Sequence, residues 1–367
     1  MKIQQKLIAG LGLALAAAGA SAQSSATIYG VLDAAVEHVS NVSASGGGLT
    51  RMPNLTGSVP SRLGFRGTED LGGGLRSLFT LEMGIAPDSG GLNQGGRLFG
   101  RQSFVGLAGP WGSVTLGRQY TMLFWSILDA DILGPNIYSS ASLDNYIPNA
   151  RADNAIAYRG TFSGFTVGAT YSLGRDTVNA GPSPAGSNCA GENATDKRAC
   201  REWSALLKYD APAWGAALAV DEMRGGAGAF AGLTSSALKD TRVSANGYAK
   251  LGDFKLGAGL IRRDNDASVA TPRSDLWYLG TAYPVTPQLV VDGELFRLKF
   301  KGSVNKATMA AVRATYNFSK RTAVYATAGR INNDGTLALS VSGGQAGSNP
   351  IAGGSQTGVA MGIRHSF

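Results

Sequence analysis

The final segment of the chain alternates between large apolar residues and small or polar ones. Val359, Met361 and Ile363 are apolar, His365 interrupts the series, and the segment closes on Phe367. Successive side chains of a β-strand point to opposite faces, so the pattern predicts a strand with one apolar and one polar face. A terminal aromatic ring suits a membrane interface. We therefore interpret this segment as the closing strand of a membrane β-barrel, with an edge strand of a soluble protein as the alternative.

The other end of the sequence reads as a secretory signal peptide, residues 1–22. Lys2 and Lys6 precede an uncharged run, residues 7–20, and a small-x-small site ends at Ala22. That run is shorter than the roughly 20 residues that a membrane-spanning helix needs. Cleavage after Ala22 is the prediction, and a retained N-terminal anchor is the alternative.

Alternating segments of about ten residues recur along the rest of the chain, for example at residues 165–172, 203–210, 254–260 and 312–318. Short connections rich in Gly, Pro, Asp and Ser alternate with long ones, of which the third covers residues 119–152. The count of segments predicts an all-β fold: a transmembrane antiparallel β-barrel of 16 strands, with 14 or 18 as alternatives. That many strands leave a water-filled interior.

Composition supports one barrel domain over residues 23–367. No linker divides the chain, only 16% of its residues are charged, and 52 are glycine. The formal charge of +8 falls to +6 when Lys2 and Lys6 leave with the signal peptide. An exported protein does not normally meet nucleic acid, so we expect no nucleic-acid partner. Anionic or polar solutes and lipopolysaccharide are the partners expected instead.

Two cysteines, Cys189 and Cys200, lie in a polar stretch rich in Gly and Asn. Export through an oxidising compartment predicts a disulfide between them that staples an exposed loop. A metal pair is the alternative, although it lacks nearby histidines. We expect no metal site and no cofactor.

Several motifs together resemble the trimeric Gram-negative porins, of the proteobacterial type that has anion-preferring members. Residues 61–72, SRLGFRGTEDLG, resemble that family's second strand and first turn. Residues 101–107 and 112–119 are similar to its fourth and fifth strands, and the two ends of the mature chain, residues 26–30 and 364–367, also fit.

The resemblance implies a homotrimer in outer-membrane lipid and a third loop folded into the lumen. It also implies that carboxylates of this loop face arginines across the pore. One motif departs from the family, because residues 129–135 read DADILGP where many porins have a Pro-Glu-Phe-Gly tip. Which carboxylates face the constriction is therefore left open by the sequence.

Strand parity selects the charged residues that face inward. Arg62 and Arg66 lie opposite Leu63 and Phe65, and Glu82 lies on the polar face of its own strand. Arginine suits a pore wall because it stays charged and binds carboxylate or phosphate bidentately. The predicted basic side of the constriction comprises Arg62, Arg66, Arg97, Arg101, Arg118 and Arg151, and the predicted acidic side comprises Asp129, Asp131 and Glu82.

The function predicted on these grounds is passive diffusion of ions and small hydrophilic solutes, with a preference for anions. A channel specific for small carboxylates or phosphate is one alternative. A barrel that acts as an adhesin or structural surface protein is another. An enzyme is disfavoured, because neither His38 nor His365 lies beside a recognisable nucleophile motif.

Overall fold

The computed structural model describes residues 25–176, 188–229, 232–343 and 346–367. Within these ranges the chain forms 18 β-strands and a few short helices. The strands are β1 (Ser25–Val42), β2 (Gly47–Arg51), β3 (Arg62–Gly72), β4 (Leu75–Ala86), β5 (Gly91–Leu92), β6 (Gln102–Gly109), β7 (Gly112–Tyr120), β8 (Arg151–Phe162), β9 (Phe165–Ser172), β10 (Glu202–Asp210), β11 (Trp214–Arg224), β12 (Lys239–Leu251), β13 (Phe254–Asn265), β14 (Arg273–Pro284), β15 (Leu289–Phe300), β16 (Lys306–Asn317), β17 (Thr322–Asp334) and β18 (Ser355–Ser366). The α-helices are α1 (Asn93–Gly96) and α2 (Met122–Ile127), and single 3-10 turns lie at Ser140–Ser142 and Ile147–Asn149.

Sixteen of the strands in the described ranges close into one antiparallel barrel, and the short β2 and β5 extend its loops. The first part of β1 pairs with β3, and its second part pairs with β18 from Val31 opposite Ser366 to Val39 opposite Gly358. Backbone bonds of 3.1 Å in both directions join Gly30 to Phe367. The predicted closing strand and the predicted number of strands are both confirmed.

The connections differ in length at the two ends of the barrel. One end carries seven short turns among the described residues, such as the tight β3–β4 turn, in which Gly72, Gly73 and Gly74 all have positive φ. Only glycine adopts three such conformations in succession at little cost. The other end carries the longer connections. In membrane barrels of this kind the short turns face the periplasm and the long loops face outward.

The outer surface is apolar. Met361 is 71% exposed and Ile363 53%, whereas Ala360, which precedes Met361 and points to the barrel interior, is 3% exposed. Aromatic side chains gather near the short-turn end, where the Phe165 and Tyr209 rings lie 4.6 Å apart and those of Phe254 and Tyr283 lie 4.5 Å apart. This is the aromatic girdle expected at a membrane interface, and it confirms the outward direction read from alternation.

Cys189 and Cys200 form the predicted disulfide, so the alternative of a metal pair is wrong. Both residues are buried, and they pack against Ala199 and Ala229 beneath the exposed loop that they close. No helix in the described part of the chain is long and apolar enough to span a membrane. The predicted signal peptide lies outside the described residues.

Candidate functional site

The long connection between β7 and β8, residues 121–150, lies against the inner wall of the barrel. We call it the inner segment. It begins with α2, where the Met122 N–H donates to Ser204 Oγ at 2.9 Å and the Ser126 and Ser244 hydroxyls bond at 2.8 Å. Both wall serines are buried and lie on strands β10 and β12. These bonds fix the start of the inner segment to that part of the wall.

The middle of the inner segment crosses β13 to β16 at close range. The Leu133 N–H donates to Glu294 Oε2 at 2.9 Å, and Arg313 Nη1 donates to the Leu133 carbonyl at 3.2 Å. A Cβ atom placed on Gly257 would lie 2.1 Å from the carbonyl oxygen of Ala130. The wall therefore needs a glycine at this position for the backbone of the inner segment to approach it.

The remainder of the inner segment is tied to the wall by charged and phenolic side chains. Tyr138 OH donates to Glu37 on β1 at 3.3 Å. Arg242 on β12 holds Asp144 with two bonds of 2.7 and 3.0 Å. Burial alone would raise the pKa of Asp144, but the charges of Arg242 and Arg263 outweigh it and lower that pKa to about 2. The inner segment thus contacts the wall from β9 to β18 and the second part of β1. It leaves much of the wall from β3 to β8, together with Tyr29 on the first part of β1, lining the open space.

The opening that remains is a cavity of about 780 Å³. Four arginines line it, whereas Glu82 is the one acid among its described lining residues, so the lining carries a net charge of +3. The inner segment contributes only uncharged residues to the opposite side. The basic lining residues are Arg62, Arg66, Arg101 and Arg151.

Glu82 organises the arginine side. Its Oε1 accepts from Arg101 Nε at 2.7 Å, and its Oε2 accepts from Tyr29 OH at 2.9 Å and lies 3.7 Å from Arg62 Nε. Arg66 stacks over the Tyr29 ring at 5.1 Å. One carboxylate therefore positions two arginines and leaves the cluster with an excess of positive charge.

Tyr120 provides the second anchor. Arg101 Nη2 donates to its hydroxyl at 2.6 Å and Arg151 Nη2 at 2.8 Å. The Arg151 guanidinium lies 4.4 Å from the centre of the Tyr120 ring, which also stacks on Phe124 at 3.9 Å. The Arg151 Nε is buried and has no hydrogen-bond partner among the described residues. Arg151 is thus held by an aromatic stack rather than by a carboxylate.

The structure places two predicted arginines elsewhere. Arg97 Nη2 lies 2.9 Å from Asp153 and 2.5 Å from Asp176, and Arg118 Nη1 lies 2.6 Å from Asp153. Neither arginine is among the described residues that line the cavity. They belong to an ionic cluster formed by β7, β8, the connection before β6 and the loop after β9.

The two carboxylates predicted from the inner segment also lie away from the arginine side. Asp129 pairs with Lys208 at 2.6 Å. Asp131 accepts a bond of 2.8 Å from Ser139 and a second bond from Ser140, and burial raises the pKa of Asp131. Neither residue is among the described residues that line the cavity. Of the three predicted acids, Glu82 is therefore the one that lies beside the arginines.

Sequence reasoning missed the aromatic anchors Tyr29 and Tyr120 and the stacking partner Phe124. Tyr120 directly follows the Arg118–Gln119 pair at the end of a strand, where the longest connection begins. That position, at the base of the connection expected to fold into the lumen, indicates that the Tyr120 side chain lies near the constriction. Tyr29 lies beside Gly30 in the motif of residues 26–30, where the resemblance concerns only the end of the mature chain.

Comparison with known proteins gives one consistent family. A family model described as Gram-negative porin matches residues 9–336. Outer membrane porin protein 32 of Delftia acidovorans is 31% identical over 381 residues, which cover 99% of this chain and 100% of the relative.

Solved structures agree with the observed fold. The anion-selective porin from Comamonas acidovorans superimposes with a TM-score of 0.76 at 27% identity, covering 94% of this chain and 100% of that one. The trimer form of OmpT, an outer-membrane protein of Vibrio cholerae, superimposes with a TM-score of 0.66 at 14% identity over 94% of this chain and 99% of its own. At that identity the second likeness concerns the fold alone.

Proposed function

Because this chain belongs to the Gram-negative porin family and forms an outer-membrane diffusion channel, we propose that the channel prefers anions. The observation that carries the proposal is the charge of the cavity lining, where four arginines oppose one glutamate. A charged lining within a low-dielectric wall raises the local concentration of counter-ions. The similar porin from Comamonas acidovorans is named as anion-selective, which supports the same direction.

The arrangement differs from a pore with acids and bases on opposite sides. The inner segment presents Leu128, Pro135 and Asn136 to the cavity rather than a carboxylate. A permeating anion therefore meets attraction on one side and no charged group on the other. This asymmetry favours anions along the arginine side and does not offer cations an equivalent path.

The test is the zero-current potential of the channel in a planar bilayer under a KCl gradient. For the wild type we expect a zero-current potential whose sign shows that chloride is more permeant than potassium. A unit charge about 5 Å from an ion in water contributes about 0.8 kcal/mol, or roughly fourfold in the local concentration of that ion. Arg66→Gln weakens the attraction of chloride and also relieves the repulsion of potassium, so it should lower the chloride-to-potassium permeability ratio at least about fourfold. Arg66 suits the experiment because its side chain is exposed in the lumen and stacks only on Tyr29.

Lys197→Gln is the matched control, since Lys197 lies in the loop between β9 and β10, outside the cavity lining. It should leave the permeability ratio unchanged. Cation selectivity of the wild type would refute the proposal, and an unchanged ratio in Arg66→Gln would remove that arginine from the filter.

A channel specific for small carboxylates or phosphate is a second candidate. Arg101 and Arg151 converge on one tyrosine hydroxyl, and the buried Arg151 Nε has no partner among the described residues. Such a pair could hold a planar or tetrahedral oxyanion bidentately. Saturation of malonate flux at low concentration in a liposome swelling assay would favour this candidate, whereas linear flux would favour general diffusion.

We also propose a homotrimer in contact with lipopolysaccharide. The apolar outer faces of β1 and β18 suit burial against a neighbouring subunit. Light scattering of the detergent-solubilised protein tests the number of subunits.

No catalytic activity is proposed. His38 and His365 lie on the outer face of the barrel, where their Nδ1 atoms bond to Thr50 at 2.8 Å and Thr322 at 2.9 Å. Neither histidine lines the cavity, so the usual general base is not directed at a solute there.

A further inference from the structure

A second basic cavity lies at the short-turn end of the barrel, next to the arginine-lined one. Its volume is about 190 Å³, and it lies between the β16–β17 turn and the final strand. Val59 and Arg62 line both cavities, so the two are adjacent along the lumen. Four of its lining residues are basic and none of those described is acidic: the bases are Arg62, Lys320, Arg321 and Arg364.

Arg62 is paired with Glu82, but the other three charges of this inner-mouth cavity are not neutralised by ion pairs. No carboxylate in the described ranges lies within 4.0 Å of the charged nitrogens of Lys320, Arg321 or Arg364. Asp33 stands opposite Arg364 in the β1–β18 register. Its oxygens accept instead from Tyr325 OH at 2.6 Å and from the Val59 N–H at 3.0 Å.

Neutral contacts position the Arg364 side chain and the backbone of the turn that carries Lys320 and Arg321. Arg364 Nη1 donates to Ser58 Oγ at 2.8 Å. Ser319 Oγ accepts the backbone N–H groups of Arg321 and Thr322, both at 3.1 Å, which fixes the turn that carries Lys320. The guanidinium of Arg364 therefore keeps most of its donors available for a ligand.

We propose that this inner-mouth cavity is a second binding site for a small divalent oxyanion, with inorganic phosphate as the representative ligand. Guanidinium forks match tetrahedral oxyanions, and hydrogen bonds between ionised groups are stronger than neutral ones. The space exceeds the roughly 30 Å³ of one water several times over, so it holds such an ion with part of its hydration shell. An anion that leaves Arg62 on the constriction side is received directly by Arg364.

This inference rests on the proposed anion preference but adds a separate site and ligand class. Two adjacent stations allow one anion to displace the next, as multi-site conduction requires. Because a divalent oxyanion binds the inner-mouth cavity more tightly than chloride does, it should block the chloride current.

The experiment titrates inorganic phosphate at pH 8 into both chambers of a phosphatidylcholine bilayer that carries a single-channel chloride current. The wild-type current should fall saturably. The double variant Lys320→Gln/Arg321→Gln should raise the half-blocking concentration about threefold to tenfold, the range for losing partly hydrated charge-assisted contacts. Arg364→Gln should act in the same direction, and Lys197→Gln should not.

The outcomes separate the two proposals. If the wild type is chloride-selective but shows no saturable phosphate block, the second site is refuted and the proposed function stands. If the wild type is cation-selective, the proposed function is refuted. Block with an unchanged half-blocking concentration in the double variant assigns it to the constriction and overturns the inner-mouth site. Block that disappears in phosphatidylglycerol membranes would mean that lipid headgroups fill the cavity, which overturns the free oxyanion as its ligand. Heat-modifiable electrophoretic mobility verifies that each variant is folded.

Discussion

The two halves of the barrel interior have opposite chemistry. From β3 to β8 the wall faces the cavity with arginines, Glu82 and Tyr120. From β13 to β18 it faces the inner segment with apolar side chains such as Leu276, Phe296 and Met309, each no more than 2% exposed. The first half is built for water and ions, and the second half is built as a hydrophobic core.

This contrast shows that a porin interior is not a uniform polar lining. Where the inner segment covers the wall, burial of apolar surface stabilises both, at about 25 cal/mol per Å². Where the wall is open, charged residues remain hydrated or pair with one another. The position of the inner segment therefore determines which arginines reach the solute.

Removing the ionic anchor of the inner segment should have the largest effect. Arg242→Ala leaves the buried carboxylate of Asp144 without its bidentate partner. Breaking a buried pair on one side costs about 3–5 kcal/mol. We expect a lower denaturant midpoint in detergent and noisier single-channel current, because the inner segment is no longer fixed.

Arg262→Ala is the control for that substitution. Arg262 also pairs with an aspartate, Asp275, but its side chain is 52% exposed. Exposed pairs contribute little to stability, so the midpoint should hardly move. Equal effects of the two variants would contradict a special role for the Asp144 anchor.

Acid should weaken the same anchor. The pKa of Asp144 is lowered to about 2 in the folded protein, compared with about 3.9 in an unfolded chain. Stabilisation by a carboxyl group with a lowered pKa is complete above its unfolded value and is lost as the pH falls through the folded one. The thermal midpoint should therefore drop between pH 4 and pH 2.

Asp144→Asn lacks this titrating group, so its midpoint should change less over the same interval. An identical acid response in the variant and the wild type would show that other carboxyl groups control it.

Close backbone approach should come next in size. Gly257→Ala places a methyl group 2.1 Å from the Ala130 carbonyl oxygen, so the inner segment must move. Overpacking of this kind costs about 1–3 kcal/mol. Faster hydrogen exchange in residues 121–150 and an altered conductance would report the displacement.

Gly293→Ala provides the comparison, because its nearest neighbour would be 3.4 Å from the new Cβ. That distance is ordinary contact. Wild-type exchange in the Gly257→Ala variant would mean that the wall and the inner segment are less tightly packed than the structure indicates.

The sequence was sufficient for the barrel because lipid imposes a strict rule on its outer face. Met361 and Ile363 must face outward, and parity then sends Arg62 and Arg66 inward, where the structure places them. Where both faces of a strand are apolar, the parity rule does not show which residues point inward. Around Leu276 and Trp277 the inward residue packs on the inner segment and the outward one faces lipid, and alternation alone does not distinguish them.

The inner segment could not be read in the same way. Asp129 pairs with Lys208 and Asp131 with Ser139, about 80 and 8 positions away in the sequence. The first partner lies on a distant strand, and the second lies in the same irregular segment, so neither follows from a local period. Arg97 likewise lies with Asp153 and Asp176 because of loop geometry that no spacing encodes.

The smallest expected effect separates the charge of the arginine side from its geometry. Tyr120→Phe keeps the ring that stacks on Phe124 and Arg151 but removes the hydroxyl that accepts from Arg101 and Arg151. All four lining arginines remain, so the chloride-to-potassium permeability ratio should change less than about twofold, compared with at least about fourfold for the loss of one charge. The two arginines lose a fixed contact, however, so single-channel noise should rise. A fall in the ratio as large as that of Arg66→Gln would show that arginine position, and not only net charge, sets the selectivity of the open half.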